Sequence, residues 1–298
     1  MANHQQQPLT SKQAKKKTRM FIISLLLCLI ALSAYLYWEN TTIEVTFLEV
    51  VDFAIPVDFD GFTIAHISDL HNTEFGQQQE RLLQKLVEAA PDLIAITGDL
   101  LDSYHPNITV AMEFINGAIA IAPVYYVTGN HESRLPELYA QLREQMESAG
   151  VVVLDNKAVT LEYGSSIIRV LGVDDPTFSA ESDLYEDNEQ VISAQLDVLL
   201  DDQSACTILL SHRPELFDVY HEAGIDLVLC GHAHGGQVRL PFIGALFAPN
   251  QGFFPEYTAG LYRQGDTQMV VSRGLGNSSF PIRINNPPEL VVITLQAD

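Results

Sequence analysis

Seven short runs rich in aliphatic and β-branched residues recur between residues 43 and 230: 43–51, 62–68, 92–97, 124–128, 167–173, 206–211 and 226–230. Several are apolar almost throughout rather than alternating, the pattern of strands covered on both faces. Helical patterns fall between them. In 77–90, Leu82, Leu83, Leu86, Val87 and Ala90 form one stripe at 3.6-residue spacing, while 133–149 and 214–223 each run into a glycine, Gly150 and Gly224, suited to closing a helix. Strands alternating with helices predict one α/β domain, 43–298, built from βαβ units. From Gly235 onward the chain is rich in Gly, Pro and aromatics, which predicts hairpins and long loops before a last strand at 290–295.

Ligands of open α/β sheets gather beyond the carboxyl ends of the strands, so the residues that follow each run carry the most information. Asp69-Leu70-His71 follows the second run and Gly98-Asp99 the third. Gly129-Asn130-His131-Glu132 follows the fourth, His212-Arg213 the sixth, and Gly231-His232-Ala233-His234 the seventh. Each motif alone is a common turn or cap. Five at the same end of successive strands predict a metal site on one rim of one sheet, made of nitrogen and oxygen donors without a thiolate. His66, His105 and His221 lack such a setting and read as structural, and His4 lies in the N-terminal tail. Cys206 and Cys230 adjoin apolar runs and read as buried thiols; Cys28 sits in the N-terminal apolar run, so no disulfide framework is expected.

That run, 20–38, is 19 residues long, carries no charge and ends in Tyr35, Tyr37 and Trp38. About 20 residues of helix cross a bilayer, and aromatic rings favour the head-group layer. Residues 1–19 form a basic tail that the positive-inside rule holds in the cytoplasm, leaving the bulk of the chain outside the cytoplasmic membrane on a single-pass signal anchor. The small-x-small triplet Ala31-Leu32-Ser33 lies inside the run, so an uncleaved anchor is expected rather than a removed signal peptide. Five of the 16 bases precede the first acid, Glu39. The remainder therefore sets 11 bases against 38 acids, a net charge of −27, and such a surface excludes a long nucleic acid as partner.

Asp-x-His, Gly-Asp, Gly-Asn-His-Glu, a later His and Gly-His-x-His, in that order over about residues 62–236, resemble the signature of the calcineurin-like metallophosphoesterase superfamily. Ser211–Glu215 (Ser-His-Arg-Pro-Glu), 231–237 (Gly-His-Ala-His-Gly-Gly-Gln) and 272–276 (Ser-Arg-Gly-Leu-Gly) resemble its bacterial membrane-anchored branch, whose relatives include phosphodiesterases and UDP-2,3-diacylglucosamine pyrophosphatases. The resemblance implies a four-layer α-β-β-α sandwich, here preceded by one transmembrane helix, with two divalent metal ions (Mn, Fe or Zn). One would take Asp69, His71, His234 and the shared Asp99; the other Asp99, Asn130, His212 and His232.

A metal-bridging hydroxide would then hydrolyse a phosphodiester or pyrophosphate, two ions roughly 3.5–4 Å apart clamping the phosphoryl oxygens. His131 matches the family position facing the phosphate and would serve as imidazolium to stabilise charge or protonate the leaving oxygen. Arg213 would either touch a substrate phosphate or form a helix-start salt bridge, and Glu132 would support the site without ligating. The acidic surface favours a small or lipid-linked phosphoester. The stretch 238–254 carries Leu240, Phe242, Ile243, Leu246, Phe247, Phe253 and Phe254; it is either an apolar lip beside the site or a loop folded under the core. A phosphomonoesterase or nucleotidase, and a silent binding module on the same fold, remain as alternatives. The sequence leaves the oligomeric state open.

Overall fold

A computed structural model describes residues 11–179, 185–200, 205–277 and 280–298; His4 and the first ten residues of the basic tail lie outside them. Two six-stranded sheets face one another. The first orders β1 (Glu44–Asp52), β16 (Glu289–Ala297), β2 (Thr63–Ile67), β3 (Leu93–Thr97), β4 (Val124–Val127) and β5 (Val152–Val153); only the β16–β2 pair is antiparallel. The second orders β14 (Gly260–Gln264), β15 (Thr267–Val271), β9 (Leu227–Cys230), β8 (Thr207–Leu210), β7 (Ser166–Gly172) and β6 (Lys157–Tyr163), antiparallel at its two edge pairs and parallel between.

The pleat explains why the central strands read as unbroken apolar runs. Leu93 and Ala95 of β3, Ile208 and Leu210 of β8, and Leu227 and Leu229 of β9 turn inward to the core between the sheets. Ile94 and Ile96 turn outward under α2 (Glu80–Ala89), α3 (Ile108–Ala118) and α5 (Pro136–Ala149). Leu209, Val228 and Cys230 turn outward under α6 (Tyr185–Leu199) and α7 (Phe217–Glu222). The result is the expected four-layer α-β-β-α sandwich. Every such position is buried on both faces, and truncating one of them, Leu229→Ala for instance, costs about 2–5 kcal/mol.

The strand runs legible in the sequence are all present, but they divide between two sheets rather than one. Helix boundaries shift for local reasons. The pattern at 133–149 is split into a single turn, α4 (Asn130–Ser133), and α5, because Pro136 supplies no N–H and pushes Leu135 out of the helical region (φ −128°, ψ 50°). Of the apolar stripe on α2, Leu82 and Leu86 are buried while Val87 faces solvent. The two glycine stops hold, with Gly150 at φ 103° and Gly224 at φ 74°. The stretch after Gly235 forms two small hairpins, β10 (Arg239–Leu240) with β11 (Gly244–Ala245) and β12 (Phe247–Ala248) with β13 (Gly252–Phe253). Phe242, Phe247, Phe253 and Phe254 all stand exposed on them, so this loop is not folded under the core.

At the N-terminus, α1 (Ser11–Thr41) is bonded to the domain near its C-terminal end, through Tyr35, Glu39 and Asn40, and its Lys15–Thr41 segment is long and apolar enough to cross a membrane. It leads directly into β1. Because β1 runs parallel to β16 and β16 antiparallel to β2, residue 44 starts at the edge where β2 and β3 end.

Candidate metal centre

The loops leaving β2 and β3 run side by side: Asp69 N donates to Gly98 O (3.1 Å), His71 N to Asp99 O (2.9 Å) and Asn72 N to Leu100 O (3.1 Å). This pairing needs backbone that turns sharply out of the pleat, and Asp69 (φ 54°), His71 (45°), Asp99 (53°), His232 (63°) and His234 (48°) all lie in the left-handed region. Such conformations cost about 1–3 kcal/mol each and concentrate where function demands them. Gly98 and Gly129 meet face to face, and a Cβ on Gly129 would collide with the Asp99 carboxylate. Here glycine is a matter of clearance.

Six of the seven expected donors, Asp69, His71, Asp99, His212, His232 and His234, meet across the two sheets, and all seven, Asn130 included, are buried. Asp69, His71, Asp99 and His234 offer ligand atoms lying within 4.8 Å of one another. Asp99 Oδ2 stands 3.4 Å from His71 Nε2 and 3.3 Å from His212 Nε2, between one group of donors and the other. His71 Nε2 and His234 Nε2 are 3.2 Å apart, and His234 Nε2 is 3.3 Å from Asp69 Oδ1. Across the site His212 Nδ1 lies 2.7 Å from Thr97 O, a partner that can only accept, so its Nε2 is left to face His232 Nδ1 at 3.2 Å.

These contacts give the fit for a cation. Ring nitrogens facing one another at 3.2 Å need a proton or a cation between them. Asp69 Oδ1 and Asn130 Oδ1 are buried acceptors with no hydrogen-bond donor, a costly state unless a ligand completes them. The protonation pattern of the chain by itself points the same way. Burial opposes charging His212, yet Asp99 drives it up to about 10; burial likewise opposes charging Asp99, yet the imidazoles of His212, His131 and His71 hold it well below the usual carboxylate range. Imidazoles and carboxylates with no thiolate suit a divalent first-row ion.

The surrounding groups are equally specific. Glu132 is fully buried and accepts from Asp99 N (2.9 Å), Leu101 N (3.0 Å) and Gly129 N (2.9 Å). It organises the loop and makes no contact with the donor atoms. His131 donates its backbone N–H to Asp99 Oδ1 (2.8 Å), and its ring Nδ1 accepts from Ser103 N (2.9 Å). That bond places the proton of the neutral ring on Nε2, and burial holds His131 down at about 4.

Arg213 turns inward instead of toward a substrate. Its guanidinium grips Asp175 through Nε (2.6 Å) and Nη2 (3.0 Å), and Nη1 reaches Asn250 Oδ1 at 2.9 Å. A buried arginine must be paired, and Asp175, more than thirty residues upstream, supplies the pairing that the chain order alone does not reveal. Of the two expectations for Arg213, the structure displays a salt bridge, made to Asp175.

Several residues at the site carry no motif. Asn250, in the turn between β12 and β13, accepts from His232 Nε2 (2.9 Å). Asn286 donates through Nδ2 to His234 O (2.7 Å), and Asp102 Oδ1 lies 3.5 Å from His131 Nδ1. What they share is a hydrogen bond or close polar contact to a site residue, which appears only in three dimensions. His66 keeps its structural role, bonded to Thr97 Oγ1 at 2.8 Å, and Cys206 and Cys230 are buried free thiols.

The sequence profile of the calcineurin-like phosphoesterases matches residues 62–236. The chain is 31% identical over 271 residues to the metallophosphoesterase YkuE of Bacillus subtilis, covering 88% of each. It is 28% identical over 245 residues to the phosphodiesterase YaeI of Escherichia coli, covering 78% of this chain and 82% of that one. In fold it is similar to the protein TT1561 of Thermus thermophilus, with a TM-score of 0.50 and 15% identity over 72% of this chain and 90% of that one.

Proposed function

We propose that this chain, which belongs to the calcineurin-like phosphoesterase family and is a metal-dependent phosphohydrolase, cleaves a phosphodiester or pyrophosphate bond in a small or lipid-linked substrate. The observation that carries this reading is the Asp99 carboxylate oxygen set between His71 and His212, 3.4 and 3.3 Å away. Asp69, His71, Asp99 and His234 would hold one divalent ion; Asp99, Asn130, His212 and His232 a second, with Mn, Fe or Zn suited to the donors. Such a pair supplies an activated water and a clamp on the phosphoryl oxygens.

The chain's own side chains do the rest. His131, with Nδ1 occupied by Ser103 N–H, presents Nε2–H as a neutral donor to a phosphoryl or leaving oxygen. Glu132 fixes the two loops that carry Asp99 and Asn130. We infer further that α1 anchors the domain, residues 43–298, to the outer face of the cytoplasmic membrane, with the basic residues before residue 20 inside.

Elemental analysis of the detergent-solubilised full chain, combined with hydrolysis of bis(p-nitrophenyl) phosphate, tests the reading. Close to two ions per chain and diester hydrolysis abolished in Asn130→Ala are expected. A fully active chain without metal, or turnover of monoesters alone, would overturn it.

A further inference from the structure

The hairpins between residues 239 and 253 present apolar rings to water that the domain does not need for its own packing. Phe242 is completely exposed, Phe253 and Phe254 are 77% and 68% exposed, and Ile243, together with Phe280 three residues before Arg283, is exposed as well. Phe242 and Phe254 hold this position from left-handed backbone, at φ 67° and 57°. A bulky residue in that region is disfavoured, and within the chain no burial offsets the cost. The surrounding sequence is unusual in charge as well. The chain has 38 acids, yet neither 227–255 nor 267–288 contains one, and the charges these segments carry are Arg239, Arg273 and Arg283.

The position of this face follows from how α1 joins the domain. Asn40 and Arg283 bond reciprocally, Arg283 N to Asn40 Oδ1 at 2.7 Å and Asn40 Nδ2 to Arg283 O at 3.0 Å. Glu39 accepts from Asn286 N at 2.6 Å. Tyr35, inside the apolar run, donates to Asn285 Oδ1 at 2.8 Å. The domain therefore reaches down to the level of Tyr35, where aromatic rings mark the head-group layer. Residues 283–286 in turn hold the hairpins: Arg239 N donates to Ile284 O (2.9 Å), Ile284 N to Gln237 O (3.1 Å) and Asn285 Nδ2 to Arg239 O (3.0 Å).

Given the anchor proposed above, we infer that the face formed by the hairpins and Phe280 sits in the membrane interface, so that the metal centre opens onto the bilayer surface and its substrate is a phosphoester embedded in lipid. An acid-free apolar face beside a membrane helix gains from burying its rings at the acyl boundary, while the acidic remainder of the domain stays in water. The partner is a lipid surface.

Trp38 is the single tryptophan of the chain, which makes depth measurable in the full-length protein reconstituted in phosphatidylcholine vesicles. Phe242→Trp and Phe253→Trp, each in a Trp38→Phe background, should lose emission to phosphatidylcholine brominated near the head-group end of its chains, to an extent comparable with Trp38 in the native chain. Tyr163→Trp, at the end of the sandwich opposite the metal centre, should not. Quenching of native Trp38 with none at 242 or 253 would overturn the docked face while leaving the anchor intact. No quenching of Trp38 would overturn the anchor and the docked face together. Cross-linking between copies through Phe253→Cys in place of lipid contact would make the face a protein interface and also overturn it. All three positions are exposed, and at Tyr163, which packs on Phe59 and Phe62, tryptophan keeps an aromatic ring in place.

Discussion

His232 Nε2 and Asn250 Oδ1 lie 2.9 Å apart, and Arg213 Nη1 meets the same oxygen at 2.9 Å. Since a guanidinium only donates, the Asn250 atom is an oxygen, and the contact of His232 Nε2 to it, 2.9 Å against 3.3 Å to Arg213 Nη1, assigns the His232 proton to Nε2. His232 Nδ1 is then free to ligate. Support of this kind for a ligating imidazole is worth about 10–100-fold in metal affinity, so Asn250→Ala should bind metal that much more weakly in competition with a chelator, with circular dichroism unchanged. Equal affinity would separate Asn250 from the site.

Asp99→Asn keeps the acceptor for His131 N but removes the charge from the oxygen between the two donor groups. Elemental analysis should find less than one ion per chain, and diester hydrolysis should fall by more than about a hundredfold, the upper range for outer partners alone.

His131→Gln should retain its metal and lose about 10²–10⁴ in turnover, the range for a positioned proton donor. Because burial already keeps His131 down at about 4, the ring is neutral throughout the neutral range. The ratio of wild-type to His131→Gln turnover should stay flat from about pH 6 to 8. A ratio that declines as pH rises would assign the role to imidazolium, the form expected from the motif alone.

Asp175 is fully buried, and despite that penalty the Arg213 guanidinium holds it down at about 2, below the ordinary 3.8. A lowered value in the folded state means the stabilisation is complete above the ordinary value and is lost as pH falls toward about 2. Urea unfolding at neutral pH should find Asp175→Asn destabilised by about 3–5 kcal/mol, the range for stranding a buried partner charge. The wild-type chain should lose stability between about pH 4 and 2 that this variant does not lose.

Much of this was legible because a ligand placed directly after a buried strand leaves a local trace. Asp69-x-His71, Gly98-Asp99 and His232-x-His234 each follow an apolar run, and the backbone turn they need selects small or short polar residues. The division of those strands between two sheets left no such trace, since pairing of β9 with β15 and of β8 with β7, rather than of either with β3, is decided by tertiary packing. The helix at 108–118 was missed because Thr109, Val110 and Ile115 weaken its local preference. β6 was missed because it lies at a sheet edge, with Lys157 and Glu162 exposed on it. Asn250 and Asn286 were invisible for a further reason: each acts through hydrogen bonds to residues distant in the chain, and neither residue type marks such a bond.

The left-handed backbone at Asp69, His71, Asp99, His232 and His234 has a consequence for the life of the protein in a cell. Five such residues together cost roughly 5–15 kcal/mol, as much as the whole net stability of an ordinary domain. A chain starved of its ions keeps that strain without the ligand that rewards it. Metal scarcity should therefore register as faster turnover of the protein by quality-control proteases before it registers as slower catalysis per molecule, and abundance itself becomes a gauge of cation supply.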